Sequence, residues 1–146
     1  VQMNCMLPED PVVVLGDRMR LEQVIINLLR NALDATRNVA TPTIDMILAS
    51  GETVSLTVRD NGDGVEDLSA LFEPFYTTKQ PGDGVGLGLA ISSGIVTDHG
   101  GRLRARNGEQ GGAVFEMQLP LLEADADVSS RAPFVASSST QPTAAK

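Results

Sequence analysis

Tryptophan is absent from this chain, and only five aromatic residues occur, four Phe and one Tyr. That leaves no set of flat platforms on which successive bases could stack. Basic charge is also scarce. Eleven Lys and Arg face nineteen Asp and Glu, a net charge of −8, and a surface of that sign repels phosphate backbones and anionic lipid headgroups. These absences exclude nucleic acid as a main partner and argue against direct membrane contact from this segment. A lone cysteine, Cys5, rules out an intrachain disulfide and fits a reducing cytosol. Cys5 itself reads as a small apolar filler or a bystander. The longest apolar stretches, such as Val12 to Leu15, fall far short of the roughly 18 residues that a spanning helix needs. The N-terminus carries no basic segment followed by an apolar one.

What is present is ordinary globular material: 146 residues, 42% apolar, with a mean hydropathy of zero, enough for one core. Beyond Glu123 the chain is too poor in large apolar groups to offset the entropy of ordering it. Residues 1–122 are therefore expected to form one domain and 123–146 a disordered tail. The acidity belongs to the domain, since residues 1–120 hold sixteen acids and nine bases, a net of −7. Val12 to Leu15 predicts a short strand, and Gly16-Asp17 a turn and N-cap for a helix reaching about Thr36, with Leu21, Val24, Ile25, Leu28 and Ala32 at helical spacing. Thr43 to Leu48 and Thr53 to Arg59 alternate and predict a hairpin. A second helix is expected from about Leu87 to His99, closed by Gly100-Gly101, followed by strands over 103–106 and 113–119. Blocks of this order predict an α+β fold, a two-layer sandwich with a mixed sheet.

Four segments carry residues suited to chemistry. On the first helix Arg20, Asn27, Asn31 and Asp34 fall within an arc of about 60° beside the apolar face. The asparagines are either solvated amides or carbonyl donors toward a hard cation such as Mg²⁺. The strand ending at Arg59 runs into Asp60-Asn61-Gly62-Asp63-Gly64, either a plain turn or a carboxylate beside glycines that let a ligand approach the backbone. Phe72, Phe75 and Tyr76 place three of the five aromatics within five residues; they either pack under a loop or latch a mobile lid, with Phe72 and Phe75 expected to stay packed as its anchor. Thr77, Thr78 and Lys79 follow, a polar loop or a set of phosphate contacts. Gly82, Gly84, Gly86 and Gly88 alternate ahead of the second helix, a hinge or a backbone cradle for phosphate.

In this order the segments Asn27-Leu28-Leu29-Arg30-Asn31-Ala32, Asp60-x-Gly62-x-Gly64, Phe72-x-Pro74-Phe75 and Gly84-x-Gly86-x-Gly88-Leu89 closely resemble the N, G1, F and G2 boxes of sensor histidine kinase ATP-binding domains. The match covers roughly residues 12–120. The run Pro74 to Lys79 with a short lid is most similar to the branch of nitrogen-regulation and C4-dicarboxylate sensors.

The resemblance implies a Bergerat-type fold with a flexible ATP lid, binding ATP and Mg²⁺. By position it implies that Asn31 ligates the metal with Asn27 beside it, and that Asp60 accepts from the adenine amino group. Gly62, Gly64 and Val65 would border the purine, and Gly84, Val85, Gly86, Leu87, Gly88 and Leu89 would lie along the nucleotide. Asp34, Phe75, Thr77, Thr78 and Lys79 complete the implied nucleotide set, Lys79 sharing the catalytic role with the two asparagines. Related ATPases carry a Glu where Asn27 stands, and an amide cannot take a proton from water at neutral pH. The implied reaction is thus transfer of the γ-phosphoryl group to a His on a helical hairpin outside this chain, with a response regulator downstream. His99, at a helix end before Gly100-Gly101, is read as a cap and not as the acceptor. The implied setting is cytoplasmic, as the cytosolic part of a membrane-anchored bacterial sensor. Alternatives are a nucleotide hydrolase or Ser/Thr kinase of the same superfamily, or a non-catalytic nucleotide-binding regulatory module.

Overall fold

The structure, a computed structural model, describes residues 1–77 and 87–122 together with the backbone of 133–136. Its elements are β1 (Gln2–Met6), β2 (Val12–Leu15), α1 (Arg18–Ala35), β3 (Thr43–Ser50), β4 (Thr53–Asp60), α2 (Gly88–Asp98), β5 (Arg102–Asn107), β6 (Ala113–Pro120) and β7 (Pro133–Ala136). Five strands form one sheet in the order β1-β3-β4-β6-β5. The β1–β3 pair is parallel and the other pairs antiparallel, so the sheet is mixed. The two helices pack on each other and on this sheet, giving the expected two-layer α+β sandwich.

The buried core follows the alternation of the strands and the helical spacing of α1. Val54, Leu56 and Val58 of β4 and Ala113, Phe115, Met117 and Leu119 of β6 meet Leu21, Val24, Leu28 and Ala32 of α1 within one apolar cluster. Leu21, Val24 and Leu28 are 0% exposed, each worth roughly 1.5–3 kcal/mol of burial. Among the described residues no helix is long and apolar enough to cross a membrane.

Two strands were not expected. β1 reads poorly because all five of its residues are exposed, so it has no alternation of buried and solvated positions to betray it. β7 lies within the segment expected as a tail, at residues 133–136. It pairs antiparallel with β2, Val14 opposite Phe134, and the otherwise open edge of a Val-rich strand supplies the hydrogen bonds that composition alone could not anticipate. Cys5, on β1, is exposed, which settles it as a solvent-facing thiol and not a filler.

The helix ends are locked to one another. Asp17 caps α1, its Oδ1 accepting from the N–H groups of Met19 (3.0 Å) and Arg20 (3.2 Å). His99 caps α2 and is buried. Its Nε2 accepts from the Asp17 N–H at 3.0 Å, while Nδ1 lies 2.7 Å from the Ile95 carbonyl. Only the neutral ring protonated at Nδ1 satisfies both partners. Arg20 and Asp98 add an ion pair of 2.7 Å beside this contact.

Gly16 makes room for the ring, since a Cβ there would lie 2.4 Å from His99 Cδ2. Gly16→Ala is therefore expected to cost about 1–3 kcal/mol through overpacking, read as a lowered midpoint in urea unfolding. In a His99→Ala background the same change should cost little, because the clashing ring is gone. Equal costs in both backgrounds would refute this packing account.

Candidate nucleotide site

The site is assembled around α1. Its polar stripe turns toward α2, where Asn27 donates through Nδ2 to Ser92 Oγ (3.1 Å) and more weakly to the Gly88 carbonyl (3.4 Å). Ser92 is fully buried, so this bond both satisfies a core hydroxyl and fixes the asparagine. With the amide nitrogen spent, the Asn27 carbonyl oxygen is the group left for a ligand. Asn31, one turn on, makes no hydrogen bond to any described residue and is half-buried. Asp34 pairs with Arg37 at 3.1 Å.

At the far end of α1 the loop after β4 comes against the helix backbone. A Cβ on Gly62 would lie 2.3 Å from the Ala35 carbonyl oxygen, so only glycine permits this approach. Asp60 stands just before it at 4% exposure. Its Oδ1 accepts from the N–H groups of Gly62 (2.8 Å) and Ala113 (3.2 Å), and its Oδ2 has no partner among the described residues. Burial holds the Asp60 carboxyl above the usual carboxylate range, the two backbone hydrogen bonds pull it back in part, and the Asp63 charge adds to the rise. A buried carboxylate with one oxygen anchored and one open is a hydrogen-bond acceptor waiting for a donor.

The remaining boundary of the site comes from α2. Leu87 is its N-cap and offers no side-chain hydrogen bond, so the first N–H groups of the helix have no side-chain partner among the described residues and carry the positive end of its dipole. Gly88 faces Asn27, whose Cγ would lie 3.9 Å from a Cβ built there. Leu89 and Val65 pack onto the core.

The structure thus brings together Asn27, Asp60, Gly62 and Gly88 around α1, with Asn31 on the same helix face. Thr78, Lys79, Gly84, Val85 and Gly86 lie outside the described residues, as does most of the expected lid. The aromatic cluster divides. Phe72 and Tyr76 pack against the core, whereas Phe75 is 72% exposed with φ 67°. That corrects the expectation of a packed Phe75: the left-handed backbone at this position, strained for a bulky residue, closes a turn and leaves the ring in solvent. Thr77 is exposed. Arg102, Arg104 and Arg106 are exposed on β5.

Residues not singled out from sequence also shape the site. Ser92 orders Asn27, and Gly112, at φ 75°, lets β6 begin against Asp60, since a Cβ there would lie 1.9 Å from the Asp60 backbone oxygen. Asn61 bridges the Thr41 carbonyl and the Thr43 N–H, both at 2.9 Å, pinning the loop to the start of β3. The Asn-Gly pair at 107–108 and the Gly pair at 111–112 are of the residue types commonest in turns, a signal that points to a turn and not to a site.

Mg²⁺ fits what is here. No group of three or more His, Cys, Asp or Glu able to hold a metal occurs among the described residues, while two amide carbonyls stand one turn apart on α1. Such a weak, oxygen-only set suits an ion that keeps its waters and is held mainly by phosphates.

Comparison with known proteins agrees with this geometry. Residues 16–123 match the family described as histidine kinase-, DNA gyrase B-, and HSP90-like ATPase. The two-component sensor PprA of Pseudomonas aeruginosa is 43% identical over 129 residues, covering 83% of this chain and 14% of that protein. The C4-dicarboxylate transport sensor protein DctB of Rhizobium meliloti is 47% identical over 109 residues, covering 72% of this chain and 17% of that protein. The chain therefore spans less than a fifth of either relative. The solved catalytic domain of histidine kinase ThkA matches with a TM-score of 0.68 at 35% identity, covering 81% of this chain and 76% of that one. The chain belongs to the histidine kinase-, DNA gyrase B-, and HSP90-like ATPase family, and within it to the ATP-binding catalytic domains of sensor histidine kinases.

Proposed function

We propose that this domain binds ATP with Mg²⁺ and transfers the γ-phosphoryl group to a His on a helical hairpin outside this chain, from which a response regulator is served. The observation that carries the reading is Asp60, a buried carboxylate with one oxygen fixed by two backbone N–H groups and the other free to accept from an adenine amino group. We place its work in the cytosol, as part of a membrane-anchored bacterial sensor.

Each residue has a distinct part. Asp60 reads the base, and Gly62 and Gly64 border the purine. The N-terminus of α2, where Leu87 provides no side-chain cap, directs N–H groups at phosphate oxygens, joined by Gly84, Gly86 and Lys79. Asn31 would hold Mg²⁺ with Asn27 beside it; the metal supplies neutralisation of the triphosphate charge. Phosphoryl transfer depends mainly on holding the acceptor in line and balancing that charge. Asn27 can orient but cannot remove a proton from water, and its amide nitrogen is already engaged by Ser92, which favours a protein acceptor over hydrolysis. His99 is unsuited to be that acceptor because both of its nitrogens are occupied in a buried cap.

Incubating the domain with γ-labelled ATP and Mg²⁺ should label a separately supplied hairpin from the parent protein with acid-labile phosphate, and leave this chain unlabelled. Acid-stable label on the domain alone, or rapid turnover to ADP without the hairpin, would overturn the reading.

Charge sets a second expectation. A triphosphate brings about four negative charges to a protein of net −8, so ATP should bind weakly in the presence of a chelator, and Asn31→Ala should remove most of the Mg²⁺-dependent gain. Equal affinity with and without Mg²⁺ by titration calorimetry would contradict it.

Asp60→Asn separates recognition from stability. Because the folded carboxyl titrates above its unfolded value, the folded domain binds protons more readily than the unfolded chain. Its stability therefore falls as pH rises through the carboxylate range up to that raised value, and the loss is complete above it. The asparagine keeps an oxygen for Gly62 and Ala113 and carries no charge, so at pH 7 the variant should melt no lower than the parent and lose the pH slope. ATP affinity should nonetheless drop at least about tenfold, and with it the preference over GTP, since amide N–H would meet amino N–H. A lower melting temperature with unchanged ATP affinity would reverse the assignment.

A further inference from the structure

We propose that Asn107 is a positioning residue for base recognition, holding the loop 61–65 at the distance from Asp60 that selects adenine. The inference rests on the reading that the purine lies between Asp60 and this loop.

Asn107 is the last residue of β5, and its side chain treats Val65 as a neighbouring strand would. Oδ1 accepts from the Val65 N–H at 2.7 Å, and Nδ2 donates to the Val65 carbonyl at 3.0 Å. Two hydrogen bonds to one residue fix its orientation as well as its distance. The loop is held tightly enough that a Cβ on Gly64, whose φ is 79°, would lie 2.8 Å from Asn107 Oδ1.

The register of the hairpin gives this contact its meaning. Asn107 pairs with Ala113 across β5 and β6, and Ala113 donates its N–H to Asp60 Oδ1 at 3.2 Å. One rung of the sheet therefore grips both walls of the expected purine slot, Asp60 through a backbone N–H and the loop through a side-chain amide. The free Oδ2 of Asp60 and the backbone at 64–65 are held to a common reference. Asn61 pins the near end of the loop to Thr41 and Thr43, so loss of Asn107 would free only the far end, leaving Asp60 and the fold in place.

The test is titration calorimetry of the full chain and its Asn107→Ala variant with Mg²⁺ and each of three probes: ATP, GTP and inorganic tripolyphosphate. Removing the two hydrogen bonds that hold Val65 should weaken ATP by about tenfold, narrow the ATP-over-GTP ratio, and leave tripolyphosphate within about twofold. An equal loss for ATP and tripolyphosphate would make Asn107 a general structural residue and overturn the proposal, as would an unchanged ratio. Should the alanine variant fail to fold, Asn107→Asp decides. It keeps an oxygen for the Val65 N–H but sets oxygen against oxygen at the Val65 carbonyl, and it should narrow the ratio in the same direction; a retained ratio refutes the role. Absence of ATP binding by the unaltered chain would refute instead the nucleotide reading on which this rests.

Discussion

The site depends on how closely backbone can approach α1. Glycines allow it: Gly62 against the Ala35 carbonyl, and Gly16, which leaves room for the His99 ring of α2 beside the start of α1. A helix is a rigid cylinder of fixed radius, so each such approach converts α1 into a ruler from which the rest of the site is measured. The cap at Asp17 fixes where the ruler begins. The core residues Leu21, Val24 and Leu28 fix its rotation, because turning it would expose them. Asn27 and Asn31 then have no freedom in where they face, and a polar stripe that costs helix propensity is held in register by the apolar one beside it.

Asp60 shows the energetic side of the same design. A carboxylate at 4% exposure is a liability to the folded state, only partly relieved by two backbone hydrogen bonds. The arrangement places both of those bonds on Oδ1, when sharing them between the oxygens would satisfy the group better. What is lost in stability is kept as an open acceptor, and an acceptor that a ligand buries without a partner discriminates strongly against a ligand that lacks the donor.

Much of this was legible before the structure because each box carries its own chemistry. The spacing of Leu21, Val24, Leu28 and Ala32 predicts the face of α1, alternation predicts β3 to β6, and Asp60 followed by Gly62 and Gly64 announces a carboxylate at a strand end. What sequence could not show is long-range pairing. The strand Gln2–Met6 is exposed throughout and exists because β3 offers an edge, and residues 133–136 pair because β2 does. The partnership of Asn107 with Val65 spans 42 positions, and nothing in the pattern around either residue points to the other. Phe75 misleads for a related reason, since an aromatic beside two packed aromatics suggests burial, and only the backbone at φ 67° shows that it turns outward.

The distribution of charge explains why the site is built from amides and backbone. Residues 1–120 carry a net of −7, and cations beside the polar face of α1 are already committed: Arg20 to Asp98 at 2.7 Å and Arg37 to Asp34 at 3.1 Å. These pairs join helix to helix and close the end of α1, so each guanidinium already has a carboxylate partner. On the proposed reading, phosphate would then be met by the N–H groups of α2 and by a divalent ion held on neutral carbonyls. Helix-terminal dipoles and amide oxygens attract charge weakly compared with a bidentate arginine, which makes nucleotide affinity depend on the cation and assigns selectivity to the base. On that reading the carboxylate at the purine end would decide which nucleotide stays, and the phosphate end only that it is a metal complex.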